Sequence, residues 1–154
     1  MSLQTELGLS KPFKNRAHEA VLNVVFTGTL LAKEGGRILR EFGLTDAQFN
    51  VLMLLKSNSV DGKINQTSLG NMLLVNRSNI TGLVDRMEKA RLVRRTADPE
   101  DRRVNYVEIT KEGKEILKRA HITYYERVEE IMSGLDYSVL SSLMESIRNQ
   151  LHDR

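Results

Sequence analysis

Apolar positions near the amino terminus recur at spacings of three and four. Phe13, Ala17, Ala20, Val21, Val24, Val25, Leu31, Ile38 and Leu39 keep that rhythm, which predicts one long helix from residue 12 to about 41. The Gly35-Gly36 pair weakens it, since each glycine costs about 1 kcal/mol relative to alanine, and a bend is expected there. FGLT closes the segment. Thr45, with Gln48 three positions on, makes a capping box for a second helix, DAQFNVLMLLKSN. SVDGK reads as a connection, and Asn65 opens a third helix that runs to about residue 73. After LVNR, a fourth helix over residues 78 to about 90 places Ile80, Leu83, Val84 and Met87 on one stripe.

The period then changes. LVRR reads as a strand, TADPED as a turn built on Asp-Pro, and VNYVEI alternates with period two, so a two-stranded antiparallel hairpin is predicted. Thr110 caps a long helix carrying Ile116, Leu117, Ala120, Tyr124, Val128 and Ile131. Gly134 breaks it, and Asp136 caps a last helix with Val139, Leu140, Leu143, Met144, Ile147 and Leu151. The predicted fold class is mainly α with a small β-hairpin wing. Residues 43–110 form a winged helix-turn-helix lobe, residues 1–42 an N-terminal helix and residues 111–154 C-terminal helices. The flanking helices carry more apolar surface than so small a lobe can cover. Pairing with an identical chain is the expectation.

Composition narrows the chemistry. With 40% hydrophobic and 28% charged residues, the 154-residue chain is expected to fold. It has no cysteine, which excludes disulfides, thiolate metal sites and thiol redox sensing, and fits a cytoplasmic location. His18, His121 and His152 are widely separated, so no metal and no cofactor is expected. The most apolar run, VLNVVFTGTLLA, falls short of the about 20 residues that span a bilayer, and no membrane partner or secretion signal is expected. The chain lacks a glycine-rich phosphate loop, a GxSxG elbow and a cysteine nucleophile, and an enzyme is not expected.

Charge points to a partner. Residues 86–103 hold seven basic side chains against four acidic ones, an excess equal to the +3 of the whole chain. A focused basic region on a near-neutral body suits nucleic acid. At about 100° per residue, the face of the fourth helix opposite its apolar stripe carries Ser78, Thr81, Gly82, Asp85, Arg86 and Lys89, with Asn79 at the margin. Ser and Asn can bond base edges, Thr adds a methyl for thymine, and Arg77 at the helix entry can reach a phosphate or a guanine. A carboxylate aimed at phosphate is repelled, so Asp85 is expected to pair with an arginine. Arg94 and Arg95 either touch phosphate at the base of the sheet or pair with Asp85 and Glu88.

The ordered set GLTDAQFNVLMLLK, NQTSLGNMLLVNRSNITGLVDRMEKARLVRR and DPEDRRVNYVEITKEGKEIL resembles the MarR family of transcriptional regulators, over roughly residues 13–153. The resemblance implies a homodimer with intertwined terminal helices and two lobes on a pseudo-palindromic double-stranded operator. It implies repression, with release by a small phenolic or other aromatic effector. Mapped onto this chain, Gln66 and Ser68 match phosphate contacts, and Arg77, Ser78, Asn79 and Thr81 match major-groove positions. Arg102 and Arg103 match the wing tip that enters the minor groove, oriented by Asp98 or Asp101. One departure stands out: the family has glycine where the recognition helix ends, and this chain reads EKARLV. Arg91 is therefore expected to adopt a left-handed conformation at a cost of about 1 kcal/mol.

His18, Phe26, Phe49, Tyr124 and Tyr125 are the candidate effector contacts by type and position. The competing function is a ligand-independent winged-helix scaffold that binds protein partners, or DNA without sequence preference. An RNA reading is disfavoured because no aromatic platform accompanies the basic hairpin.

Overall fold

Side chains that replace missing backbone partners set the helix boundaries. Thr45 Oγ1 accepts from the Gln48 amide at 3.3 Å while Gln48 Oε1 accepts from the Thr45 amide at 2.9 Å, the reciprocal box expected for α3 (Asp46–Asn58). Asn65 Oδ1 accepts from Thr67 and Ser68 at the start of α4 (Gln66–Met72). Asp136 Oδ1 accepts from Ser138 and Val139 ahead of α7 (Tyr137–His152). The remaining helices are α1 (Leu3–Glu6), α2 (Arg16–Arg40), α5 (Arg77–Lys89) and α6 (Lys111–Met132). This computed structural model describes residues 2–58, 62–74, 77–101 and 104–152. The chain divides into two compact units, Met1–Ala120 and His121–Arg154.

Three expectations are corrected. The first long helix begins at Arg16 rather than at Pro12, because Asn15 caps it by accepting from the His18 amide at 3.1 Å. It runs unbroken through Gly35-Gly36. There the glycines serve packing: Gly35 is buried, and a Cβ on Gly36 would lie 3.1 Å from Asp46 Oδ2, so the pair lets the start of α3 approach. The sheet has three strands rather than two, β1 (Lys63–Asn65), β2 (Val93–Ala97) and β3 (Asn105–Ile109), in the order β1-β3-β2. β1 pairs antiparallel with β3, Ile64 opposite Val107, and β2 pairs with its other edge, Arg95 opposite Val107. A three-residue strand carries too little alternation to stand out from a connection. The one-turn α1 is likewise too short to leave a period.

The core of the first unit lies among α3, α5 and the sheet. Leu39, Val51, Leu52, Leu55, Leu69, Val84, Met87 and Val107 are fully buried. The stripe of α5 is buried as its spacing required, with Ile80 at 1% exposure and Leu83 at 7%. Each such side chain stabilises the fold by about 1.5–3 kcal/mol on burial, so rolling the helix about its axis would forfeit most of that. This fixes which residues of α5 face out.

Two helices end in the same way with different residues. After α2, the Leu44 amide donates to Leu39 O and the Gly43 amide to Arg40 O, with Gly43 at φ +69°. After α5, the Leu92 amide donates to Met87 O and the Arg91 amide to Glu88 O, both at 2.9 Å, with Arg91 at φ +56°. The left-handed arginine is what the resemblance implied, and it costs about 1–2 kcal/mol that glycine would avoid. Leu92 O then accepts from the Thr110 amide at 3.1 Å and from Thr110 Oγ1 at 3.0 Å. Thr110 Oγ1 in turn accepts from the Gly113 amide at 2.9 Å. The first turn of α6 is thus drawn onto the Leu92 carbonyl so closely that a Cβ on Gly113 would lie 2.1 Å from that oxygen. Gly113→Ala should therefore destabilise the chain by at least about 2 kcal/mol, seen as a melting midpoint lower by roughly 4 °C or more. An unchanged midpoint would show that this junction yields without cost.

Candidate nucleic-acid interface

With its apolar stripe buried, α5 presents Ser78, Asn79, Thr81, Asp85, Arg86 and Lys89 to solvent. Gly82 lies among them, half-buried, and a Cβ there would stand 3.4 Å from Arg86 Nη1. At the start of α4, Ser68 is exposed, with its amide held by Asn65. Arg77 opens α5, and its side chain lies outside what is described.

Arg95 ties these helices to the sheet. Its guanidinium pairs with Glu88 through Nη1 and with Asp85 through Nη2 at 2.7 Å. Nη2 also donates to Thr81 O at 3.2 Å, and Nε to Gln66 Oε1 at 2.8 Å. Its backbone amide donates to Glu88 Oε1 at 2.7 Å. Gln66 completes the circuit by donating from Nε2 to Thr81 Oγ1 at 3.0 Å. One half-buried side chain on β2 therefore holds the first turn of α4 and two turns of α5. The pairing foreseen between the sheet-base arginines and Asp85 and Glu88 is made by Arg95. The other member, Arg94, takes a different partner, donating twice to Glu108 on β3 at 2.9 Å each. That bidentate bond holds the Glu108 carboxyl below the ordinary carboxylate range and the Arg94 guanidinium above its own.

The wing turn is organised by Asp98. Its Oδ1 accepts from the Glu100 amide at 2.8 Å and from the Asp101 amide at 3.1 Å, closing the turn around Pro99. The strands meet below it through Asp98 N to Val104 O and Val104 N to Asp101 O. These backbone bonds, Glu100 first, lower the Asp98 pKa, with further help from the Tyr106 hydroxyl and Lys63. A depressed folded-state pKa means that the contribution is present above the unfolded value and lost only as pH falls through the folded one, in the acid range. Lys63 Nζ stands 4.8 Å from the centre of the Tyr106 ring, so β1 braces the same corner. Arg102 and Arg103 lie outside the described residues, and Asp101 is exposed.

Among the aromatic candidates, Phe49 is 4% exposed in the core of the first unit. Phe26 is half-buried on α2, and the exposed His18 meets Phe13 edge to face at 6.4 Å. In the second unit Tyr125 stacks on His121 at 4.1 Å and meets Tyr124 edge to face. None of the five lines the cavity of about 500 Å³ in the first unit, where Leu55, Ile109 and Leu117 lie beneath Lys56, Lys114 and Lys118. Among the described residues no three His, Asp or Glu side chains converge as a metal site, and no helix is long and apolar enough to cross a membrane.

The family model described as "MarR family" matches residues 44–104, the span that holds α4, α5, the sheet's first two strands and the Arg95 cluster. YfiV, an uncharacterised HTH-type transcriptional regulator of Bacillus subtilis, is 31% identical over 115 residues, covering 67% of this chain and 69% of YfiV. The chain belongs to the MarR family. BadR, a transcriptional activatory protein of Rhodopseudomonas palustris, is 36% identical over 99 residues, and the match spans 62% of this chain and 57% of BadR. The crystal structure of Sco3205, a MarR family transcriptional regulator from Streptomyces coelicolor in complex with DNA, superposes with a TM-score of 0.79 at 26% identity. It covers 94% of this chain and 92% of that one. The chain spans less than two thirds of several of the curated relatives it matches; what it shares with them is membership of a family of transcriptional regulators, and with the solved structures a winged-helix fold.

The sequence placed Ser78, Asn79, Thr81 and Arg86 on the outward face, and there they lie. It did not anticipate that Gln66 spends both ends of its amide inside the protein, nor that Glu108, Tyr106 and Lys63 brace the wing. Glu108 leaves a signal only once the register of β2 and β3 puts it opposite Arg94. The geometry makes Arg95 a positioning residue. Arg95→Ala should cost roughly 1–3 kcal/mol of stability and weaken DNA binding, while the slope of log affinity against log salt stays at its wild-type value. A slope smaller by about one unit would place Arg95 on a phosphate instead.

Proposed function

We propose that this chain is a homodimeric repressor that sets two lobes on a pseudo-palindromic operator in the cytoplasm and leaves it when a small aromatic effector binds. The observation that carries the dimer is the uncovered apolar surface on helices outside the lobe. Val21, Val24, Val25, Leu30 and Leu31 of α2 are exposed. So are Val139, Leu140, Leu143, Ile147 and Leu151 of α7, a helix with no buried residue. Apolar residues at helical spacing, left to water on this scale, mark an interface, and a second copy is the partner every such chain has at hand. Residues 1–42 and 111–154 are then the dimerisation segments and residues 43–110 the reading lobe.

In the operator complex α5 enters the major groove. Ser78, Asn79 and Thr81 read base edges, and Arg77 and Arg86 flank them. Ser68 and the start of α4 meet phosphate, with Gln66 holding Thr81 in place, and Arg94 reaches phosphate from its seat on Glu108. Arg102 and Arg103 enter the minor groove, where a narrow width strengthens the negative potential, and Asp98 and Asp101 shape the turn that carries them. A planar aromatic effector is the class proposed, with His18 and Phe26 of the first unit and Tyr124 and Tyr125 of the second taken as separate candidate contacts. Activation is the second reading, because BadR is an activatory protein.

Sedimentation equilibrium at micromolar concentration should give a dimer. Leu143→Glu, which sets a charge in the uncovered face of α7, should give a folded monomer that binds operator duplex at least about tenfold more weakly. A monomeric wild-type chain would refute the two-lobe docking.

A further inference from the structure

Among the described residues, positive φ occurs at Gly8, Gly43, Gly62 and Gly134 and at two residues that are not glycine, Leu74 and Arg91. These two stand on either side of the recognition helix α5. Arg91 is accounted for by the hydrogen-bonded exit into β2. Leu74 is not. It follows α4, its amide donates to Asn71 O at 3.1 Å, and it holds φ +53°. It is also 92% exposed, the most exposed of the described large apolar side chains.

A left-handed leucine carries a steric cost that glycine does not, and an exposed one recovers nothing through burial. Neither effect on folding favours leucine here, and backbone strain that folding does not explain gathers at functional positions. The place is specific. Leu74 lies in the turn from which the chain passes into α5, at the opposite end of α4 from the Gln66–Thr81 bond. An isobutyl group has no donor or acceptor, so it can meet DNA only on apolar ground, the methyl of a thymine or the face of a deoxyribose.

We infer that Leu74 is a DNA-contacting residue, whose side chain packs on the apolar surface of the duplex beside the point where α5 enters. The inference rests on the reading that α5 enters the major groove. It explains why this corner keeps a strained leucine where glycine serves at Gly8, Gly43, Gly62 and Gly134.

The test sets stability against binding. Leu74→Gly should raise the melting midpoint, because strain is relieved, and weaken binding to an operator duplex about three- to tenfold. Leu74→Met, which keeps the apolar reach, should bind within about twofold of wild type. Replacing operator thymines one at a time with uracil identifies the surface met. A methyl contact gives one position where the loss for wild type matches that of Leu74→Gly and where the variant loses nothing more. A deoxyribose contact gives no such position. Leu74→Gly binding as tightly as wild type would overturn the inference while leaving the α5 reading intact. A midpoint and affinity that fall together would also overturn it, since the leucine would then be structural. Wild-type binding that is indifferent to base changes would instead strike at the α5 reading itself.

Discussion

The Arg95 guanidinium is the interaction on which the reading surface depends. α5 is held by two independent constraints, an apolar stripe that fixes its rotation and a cluster of charged hydrogen bonds that fixes its place against α4 and the sheet. Burial alone would leave a surface helix free to slide by fractions of a turn at small cost. Charge-assisted bonds are directional and shorter in range, so they supply the accuracy that burial lacks. The same cluster consumes Asp85 and Glu88, the two carboxylates that would otherwise repel phosphate from the basic face. One guanidinium balances only one of these two charges, so the positive field of the lobe rests on its further cations, Arg86 and Lys89 among them.

Helical periodicity made most of this legible beforehand. The stripe of Ile80, Leu83, Val84 and Met87 left one way to orient α5, and the capping side chains Thr45, Asn65, Thr110 and Asp136 marked where helices begin. The left-handed Arg91 was legible through the resemblance, because the family has glycine at that position and this chain reads EKARLV. What escaped was short or non-local. β1 spans three residues and declares itself only against β3. The role of Gln66 depends on an arginine 29 positions away, and no local pattern encodes that distance. Gly35-Gly36 was misread because propensity counts the cost of glycine within a helix and omits the neighbour, Asp46, that its absence of side chain admits.

Two kinds of surface then divide the work. The lobe offers polar and cationic groups held in fixed positions, suited to hydrogen bonds that discriminate among bases. The helices outside it offer exposed aliphatic side chains, suited to non-directional burial against a like surface. The DNA reader proposed above, whose second lobe is supplied by a second copy, would have both needs.

The most direct measurement is selection of bound duplexes from a random-sequence pool at two salt concentrations. The proposed symmetric dimer, with one reading helix from each copy, should enrich a dyad motif with half-sites about one helical turn apart, retained at the higher salt. Binding that enriches no motif and vanishes as salt rises would contradict the account, leaving a surface that senses only phosphate charge.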